Sequence, residues 1–203
     1  MTSKSFRRLR SHYDSIANRY YDERDGMSRV ARETADKILE HVEPGDYLLE
    51  IASGPLTSIG PIEPHFERTI CTDISLESLR VGRKRTEFSG GLAACSAMQL
   101  PFETSSFDAV VCQGAACFMP SSEFQRFISE VHRVLQSGGT FAVTLHSKPE
   151  KRHARLLDRG RNLLRPQPDI KHDASEFGNK FTIVYEYRFE VNQPIDLVIT
   201  SKG

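Results

Sequence analysis

LLEIASGPLTSIG at residues 48–60, followed by CTDIS at 71–75, decides how this chain folds. An apolar run ending in Glu50 passes into the small-residue loop Ala52-Ser53-Gly54, and Asp73 arrives 19 residues after Gly54, at the end of a second apolar run. This is the layout of a nucleotide-binding βαβ unit: the first strand delivers the chain to the sheet edge, small residues let the backbone approach a ligand, and a carboxylate ends the second strand. Gly54 reads as the point of close approach, with an ordinary turn glycine as the plainer alternative. A carboxylate closing an apolar strand is costly without a partner. A ribose diol is the expected partner of Asp73; the alternative, capping of the next helix, is a role Ser75 can fill instead. Glu50 is expected either to orient the loop or to meet a ligand ammonium.

Composition narrows the field. The chain has 203 residues, with 27 Lys plus Arg against 27 Asp plus Glu. That suits one folded domain and offers no large basic surface for a polyanion. The reading is a single domain over 1–203, with a helical lid over 1–43 and the core over 44–203. No apolar run reaches the roughly 20 residues that span a bilayer, and the start MTSKSFRRLRS has no apolar signal stretch, so the expected location is the cytoplasm. Cys71, Cys95, Cys112 and Cys117 lie in or just after apolar segments without a CxxC pair. They read as reduced thiols, with no metal site expected.

Along the chain, residues 5–25 carry Phe6, Leu9, Tyr13, Ile16, Ala17, Tyr20 and Tyr21 at helical spacing, with a break expected near His12. A second helix spans 28–42 and stops at Pro44-Gly45. Strands are expected at 47–51, 68–72, 92–95, 107–112 and 140–145, with a short helix or turn between Ser58 and Phe66, where Pro61 and Pro64 interrupt. Ser75 is expected to cap the helix after strand 2. Ser121 or Ser122 starts an amphipathic helix that ends near Gly138-Gly139. A basic helix over 148–165 and a loop to about 178 precede a hairpin, in which Phe181, Ile183, Tyr185, Tyr187 and Phe189 alternate with a period of two and Asn192-Gln193-Pro194 turns the chain. The sum is a Rossmann-like, doubly wound α/β fold of seven strands with a C-terminal antiparallel hairpin and N-terminal lid helices.

These segments resemble, in order, those of the class I S-adenosylmethionine-dependent methyltransferases, in particular the small-molecule group of the ubiquinone and menaquinone biosynthesis enzymes. YDSIANRYYD is similar to the lead-in helix of that family, LLEIASGPLTSIG to its first motif, CTDIS to its ribose-binding strand end, SAMQLPFETSSFDAVVCQ to its third and fourth motifs, and EVHRVLQSGGTFAVT to its helix into strand 5. The resemblance covers about residues 13–145 and implies S-adenosylmethionine as cofactor. It places Tyr20, Glu50, Ala52, Ser53, Gly54, Asp73, Ile74, Ser96, Ala97, Met98 and Gln113 around it. It also shows departures: family glycines stand where this chain has Ala52 and Leu56, the usual Gly-Asp-Ala is Cys95-Ser96-Ala97, and the histidine many relatives carry after strand 4 gives way to Cys117-Phe118-Met119. Ser96 can still accept a hydrogen bond from an adenine amino group.

A physical argument favours this cofactor over a dinucleotide. Pyrophosphate needs a glycine turn opening directly into a helix N-terminus, and here Pro55 has no N–H and Leu56 adds bulk. Tyr13 and Tyr20 are suited to closing over a cation, although aromatics at helical spacing also serve simply as core. Gln113 ends strand 4 at the ligand-binding edge, where a loop-capping amide is the plainer reading. His146, after strand 5, is the positional candidate for a catalytic base. The expected function is methyl transfer to a small molecule, a secondary metabolite or a quinone-like acceptor, with no nucleic acid and no membrane as partners and a homodimer allowed. A non-methylating member of the fold and an RNA or protein methyltransferase are the alternatives.

Overall fold

The computed structural model describes residues 3–23, 29–146, 172–189 and 195–203. Its elements are α1 (Ser3–Glu23), α2 (Arg29–Leu39), β1 (Gly45–Ile51), β2 (Phe66–Asp73), α3 (Leu76–Arg85), β3 (Gly91–Ala94), β4 (Phe107–Cys112), α4 (Ser121–Val134), β5 (Leu135–His146), β6 (Thr182–Phe189) and β7 (Ile195–Ser201), with 3-10 turns at Glu63–His65, Ala116–Phe118 and Ala174–Lys180. The strands form one sheet in the order β3-β2-β1-β4-β5-β7-β6. The first five are parallel, and β7 runs antiparallel to both β5 and β6. Strand order reverses between β1 and β4, and the crevice beyond their carboxyl ends is where open α/β sheets bind ligands.

Burial follows from the sequence pattern. In β4, Phe107, Ala109, Val110, Val111 and Cys112 are all buried, as a strand covered on both faces requires. One face of the sheet packs against α4, where Phe124, Phe127, Ile128 and Val131 meet Phe141 and Phe177. The other packs against α2, α3 and the loop after β1, through Ala35, Ile38, Leu56, Ile59 and Leu79. Helix α2, expected as part of the lid, is therefore a layer of the core. His41 lies 4.0 Å from the Tyr185 ring, and Tyr187 donates to Glu33 at 3.0 Å.

Several boundaries differ from the sequence expectation. Helix α1 runs unbroken through His12, whose carbonyl accepts the Ser15 hydroxyl at 2.7 Å. Helix α4 does start at Ser121, with Pro120 as the N-cap residue, whose carbonyl accepts the N–H groups of Glu123 and Phe124. That helix stops at Val134 rather than at Gly138-Gly139, because Leu135 turns extended and pairs with Phe107. Between this pair and Ala109–Thr140 the register shifts, so the two glycines lie within β5. Gly138 adopts φ 77°, and a Cβ on Gly139 would meet the Asp108 carbonyl at 2.9 Å. In the hairpin, a register shift between Ile183 and Tyr185 interrupts the expected period of two. Phe181 packs on the α4 face, while Tyr185, Tyr187 and Phe189 pack on the α2 face. The expected helix over 148–165 and the turn at 192–194 lie outside the described residues.

Candidate functional site

The loop after β1 sets the site. Ala52, Gly54 and Leu56 adopt φ of 58°, 52° and 59°, an alternation of left-handed residues. Two of the three carry a Cβ, and each such residue costs about 1–2 kcal/mol. The conformation is held from both sides. The Ser53 N–H donates to the Thr72 carbonyl at 2.9 Å, the Ser53 hydroxyl to the Glu50 carbonyl at 3.1 Å, and the Leu56 N–H to the Ser53 carbonyl at 3.1 Å. Leu56 is buried against Gly82 of α3, where a Cβ would stand 2.6 Å from the Leu56 Cγ.

Asp73 ties the tips of the first two strands together. Its Oδ2 accepts the Gly54 N–H at 2.9 Å and its Oδ1 the Ser75 N–H at 2.8 Å. Burial raises its pKa, and these backbone donors work in the opposite direction. Capping of α3 falls to Ser75, whose hydroxyl accepts the Ser78 N–H at 3.0 Å. Carboxylate oxygens accept more than one hydrogen bond, so Asp73 keeps capacity for a diol. Ile74 sits half-buried between the two residues.

Glu50 meets the loop and the neighbouring strand. Its Oε1 accepts the Ser58 hydroxyl at 2.9 Å and its Oε2 the Cys71 thiol at 3.6 Å, so the carboxylate faces β2 and the loop. Burial raises its pKa to about 7, against hydrogen bonds from Ser58, Ser53 and Cys71.

Helix α1 is docked on this unit. Asp14 Oδ1 accepts the Ser75 hydroxyl at 2.6 Å and the Glu77 N–H at 3.4 Å, while Asn18 and Asp22 reach Arg85 and Tyr21 donates to the Arg85 carbonyl at 3.0 Å. The helix therefore runs parallel to α3. A Cβ placed on Gly54 would lie 3.8 Å from the Tyr20 ring. Tyr20 meets Tyr13 edge-on at 6.2 Å, and Tyr13 meets Phe118 at 6.5 Å. A row of rings thus spans from the β1 loop to the turn after β4.

The loop after β3 continues the site. Cys95 donates its N–H to the Asp73 carbonyl at 3.0 Å, and the Ser96 hydroxyl accepts the Met98 N–H at 3.2 Å. Ala97 and Met98 pack on the core beneath. Two residues that sequence reasoning missed anchor this loop from α4. Glu130 accepts the Leu100 N–H at 2.8 Å, and Arg133 donates to the carbonyls of Leu100 and Phe102 at 2.9 and 2.7 Å while pairing with Glu130 at 2.8 Å. Their three-residue spacing on the polar side of an amphipathic helix was the available signal.

Gln113 follows β4 with its Nε2 buried and lacking a hydrogen-bond partner. Beside it the Gly114 N–H donates to the Thr144 hydroxyl at 2.8 Å. His146 is the last residue of β5 and pairs with Ile195 through its backbone; its side chain lies outside the described residues. His172, also missed, is buried, stacks on Phe124 at 3.8 Å, and places its ring nitrogens 2.7 Å from Glu176 and 2.8 Å from the Met119 carbonyl, which fixes the turn after β4. A groove of about 520 Å³ lies among Tyr21, Leu56, Thr57, Glu63, Thr86 and Phe88, between the loop after β1 and the segments that enter β2 and β3.

Residues 49–143 match the family model described as a methyltransferase domain. Demethylmenaquinone methyltransferase of Symbiobacterium thermophilum is 33% identical over 166 residues, 73% of this chain and 62% of that protein. Ubiquinone/menaquinone biosynthesis C-methyltransferase UbiE of Nitrosospira multiformis is 31% identical over 156 residues, 72% of this chain and 63% of that protein. By the family match the chain is similar to methyltransferase domains over a little under half of its length. The methyltransferase fold is equally plain in solved structures. N-methyltransferase NodS of Bradyrhizobium japonicum, in complex with S-adenosyl-L-homocysteine, superposes with a TM-score of 0.70 at 16% identity, over 89% of this chain and 91% of that one. A SAM-dependent methyltransferase from Methanosarcina mazei gives 0.62 at 22% identity, over 82% and 96%. This chain thus spans somewhat less than two thirds of the two sequence relatives. The matched residues include the β1 loop, Asp73, Ser96, Gln113, Glu130 and Arg133. Helices α1 and α2, His172 and the terminal hairpin fall outside it.

Proposed function

We propose that this chain transfers the methyl group of S-adenosylmethionine to a small-molecule acceptor, a quinone-like ring being the best candidate. The observation that carries the proposal is the bond from the Gly54 N–H to Asp73, closing a left-handed loop that has no N–H at Pro55 and leads into no helix. Such a loop gives no cradle to a pyrophosphate, yet it presents a carboxylate and a close-approaching backbone to an adenosyl group. The names of the sequence relatives support the acceptor class.

The residues present suit the cofactor. Asp73 would take the ribose hydroxyls, Ser96 and the Ala97-Met98 backbone the adenine edge, and the loop 52–54 the methionine portion. The ring of Tyr20, already against Gly54, suits a neighbouring cation. Bound there, the cofactor supplies an electrophilic methyl carbon. The protein's share is positioning and exclusion of water, which the tie between α1 and Ser75 provides. The proposal includes a cytoplasmic location, a small molecule rather than nucleic acid as partner, and a homodimer as an allowed state. No described helix is long and apolar enough to cross a membrane.

Calorimetry with S-adenosylmethionine and its demethylated product tests the core of this reading. Binding that weakens at least tenfold in Asp73→Ala is expected, and equal affinity in that variant overturns it. Incubation with labelled cofactor and a panel of quinols then identifies the acceptor.

A further inference from the structure

We propose that His12, carried by α1, accepts a proton from a hydroxyl of the methyl acceptor, and that the acceptor is a planar aromatic ring bearing such a hydroxyl. The inference deepens the methyl-transfer reading and rests on it. His12 Nε2 is buried and has no hydrogen-bond partner, and Gln113 Nε2, at the end of β4, is in the same state. A buried polar atom without a partner carries the full penalty of losing water, so each is explained by a ligand atom that completes it.

Three neighbours locate His12. Asp14 is fixed to Ser75 at the carboxyl end of β2, and Tyr13 rests edge-on against Phe118 in the turn that follows β4. Strand β1 runs between these two strands, so this part of α1 crosses the end of the crevice. The His12 ring stands 5.4 Å from that of Tyr13 at 75°, and Tyr13 in turn meets Tyr20 and Phe118. Rings in edge-on array suit a flat aromatic guest. The acids nearby are otherwise engaged: Asp73 with two backbone N–H groups, Glu50 with Ser58 and Cys71, Asp14 with Ser75.

With its proton on Nδ1, the imidazole offers the Nε2 lone pair. The O–H bond of the acceptor breaks, its electron pair stays on oxygen, and the proton forms the new N–H bond, leaving a phenolate beside an imidazolium. The Gln113 amide is a donor for the resulting oxygen anion or for a second ring oxygen.

The test uses 4-nitrophenol, whose phenolate has its own absorption band, titrated into the full chain saturated with S-adenosyl-L-homocysteine. Expected is uptake as the phenolate by the unsubstituted protein. In His12→Gln and His12→Asn the affinity falls at least tenfold and the remaining bound probe stays protonated, while thermal melting and affinity for S-adenosyl-L-homocysteine are unchanged. If the product binds but the probe is not taken up as phenolate, or is taken up equally by the variants, the role of His12 is overturned and the methyl-transfer reading stands. If S-adenosyl-L-homocysteine itself fails to bind, the broader reading falls, and this proposal with it.

Discussion

Asp14 accepts the Ser75 hydroxyl at 2.6 Å, so a residue of the leading helix completes the turn that follows Asp73. Ser75 in turn gives its N–H to Asp73, and Asp73 holds the Gly54 N–H. Docking of α1 and the shape of the site are thus one hydrogen-bonded chain. Asp14→Ala should lower stability by about 1 kcal/mol, the scale of one partly exposed hydrogen bond to a charge. It should also speed amide exchange along α1 and weaken cofactor binding. Asp14→Asn, which retains an acceptor oxygen, should do less of each.

Glu50 predicts how stability varies with pH. Its folded pKa is raised to about 7 from 4.5, so the folded protein holds this proton more tightly than the unfolded chain. Its contribution is complete below about pH 4.5 and is lost as pH rises through about 7, amounting to about 3 kcal/mol. Glu50→Gln should therefore match the parent at pH 4.5 and exceed it at pH 8, as urea titrations at the two pH values would show. A gain at pH 4.5 only would contradict the assignment.

The left-handed alanine gives a stabilising substitution. Ala52→Gly should relieve backbone strain and raise stability by about 1 kcal/mol, a few degrees in Tm for a chain of this size. Leu56→Gly relieves the same kind of strain but removes a buried side chain, and a net loss of about 2 kcal/mol is expected. Thermal melts of the two variants should move in opposite directions.

Arg133 links α4 to the loop beyond β3. Arg133→Met should release the Leu100 and Phe102 carbonyls, costing about 1–2 kcal/mol for a half-exposed guanidinium. Its effect on cofactor affinity should be the larger one, because Ser96 to Met98 lie in the same loop. Arg133→Lys should rescue little, since one ammonium cannot reproduce the forked contacts.

The alternation of strands with helices and the terminal hairpin were legible because βαβ units print their period and their turns directly into sequence, as FDAVVC and TFAVTL do. The placing of Gly54 and Asp73 at the ends of the first two strands was legible for the same reason, and the bond between them was not. What escaped were features set by tertiary contact. Gly138-Gly139 resembles a helix stop, yet Leu135 pairs with Phe107 before the chain reaches it. The hold of Arg133 on two carbonyls and that of His172 on the Met119 carbonyl join segments far apart in sequence, and the local spacings Glu130–Arg133 and His172–Glu176 announce only the pairs themselves. The contacts of Glu50 with Ser58 and Cys71 likewise cross to the loop and to β2.

The bulge between Ile183 and Tyr185 has a consequence for self-association. Strand β6 is the outer strand on one side of the sheet, and β3, four residues long, is the outer strand on the other. A kinked strand and a very short one are both poor templates for a second chain, although Ile183 and Val184 are exposed at the kink. Growth of the sheet from molecule to molecule is discouraged at both edges, and any pairing of two copies is directed toward the helical faces.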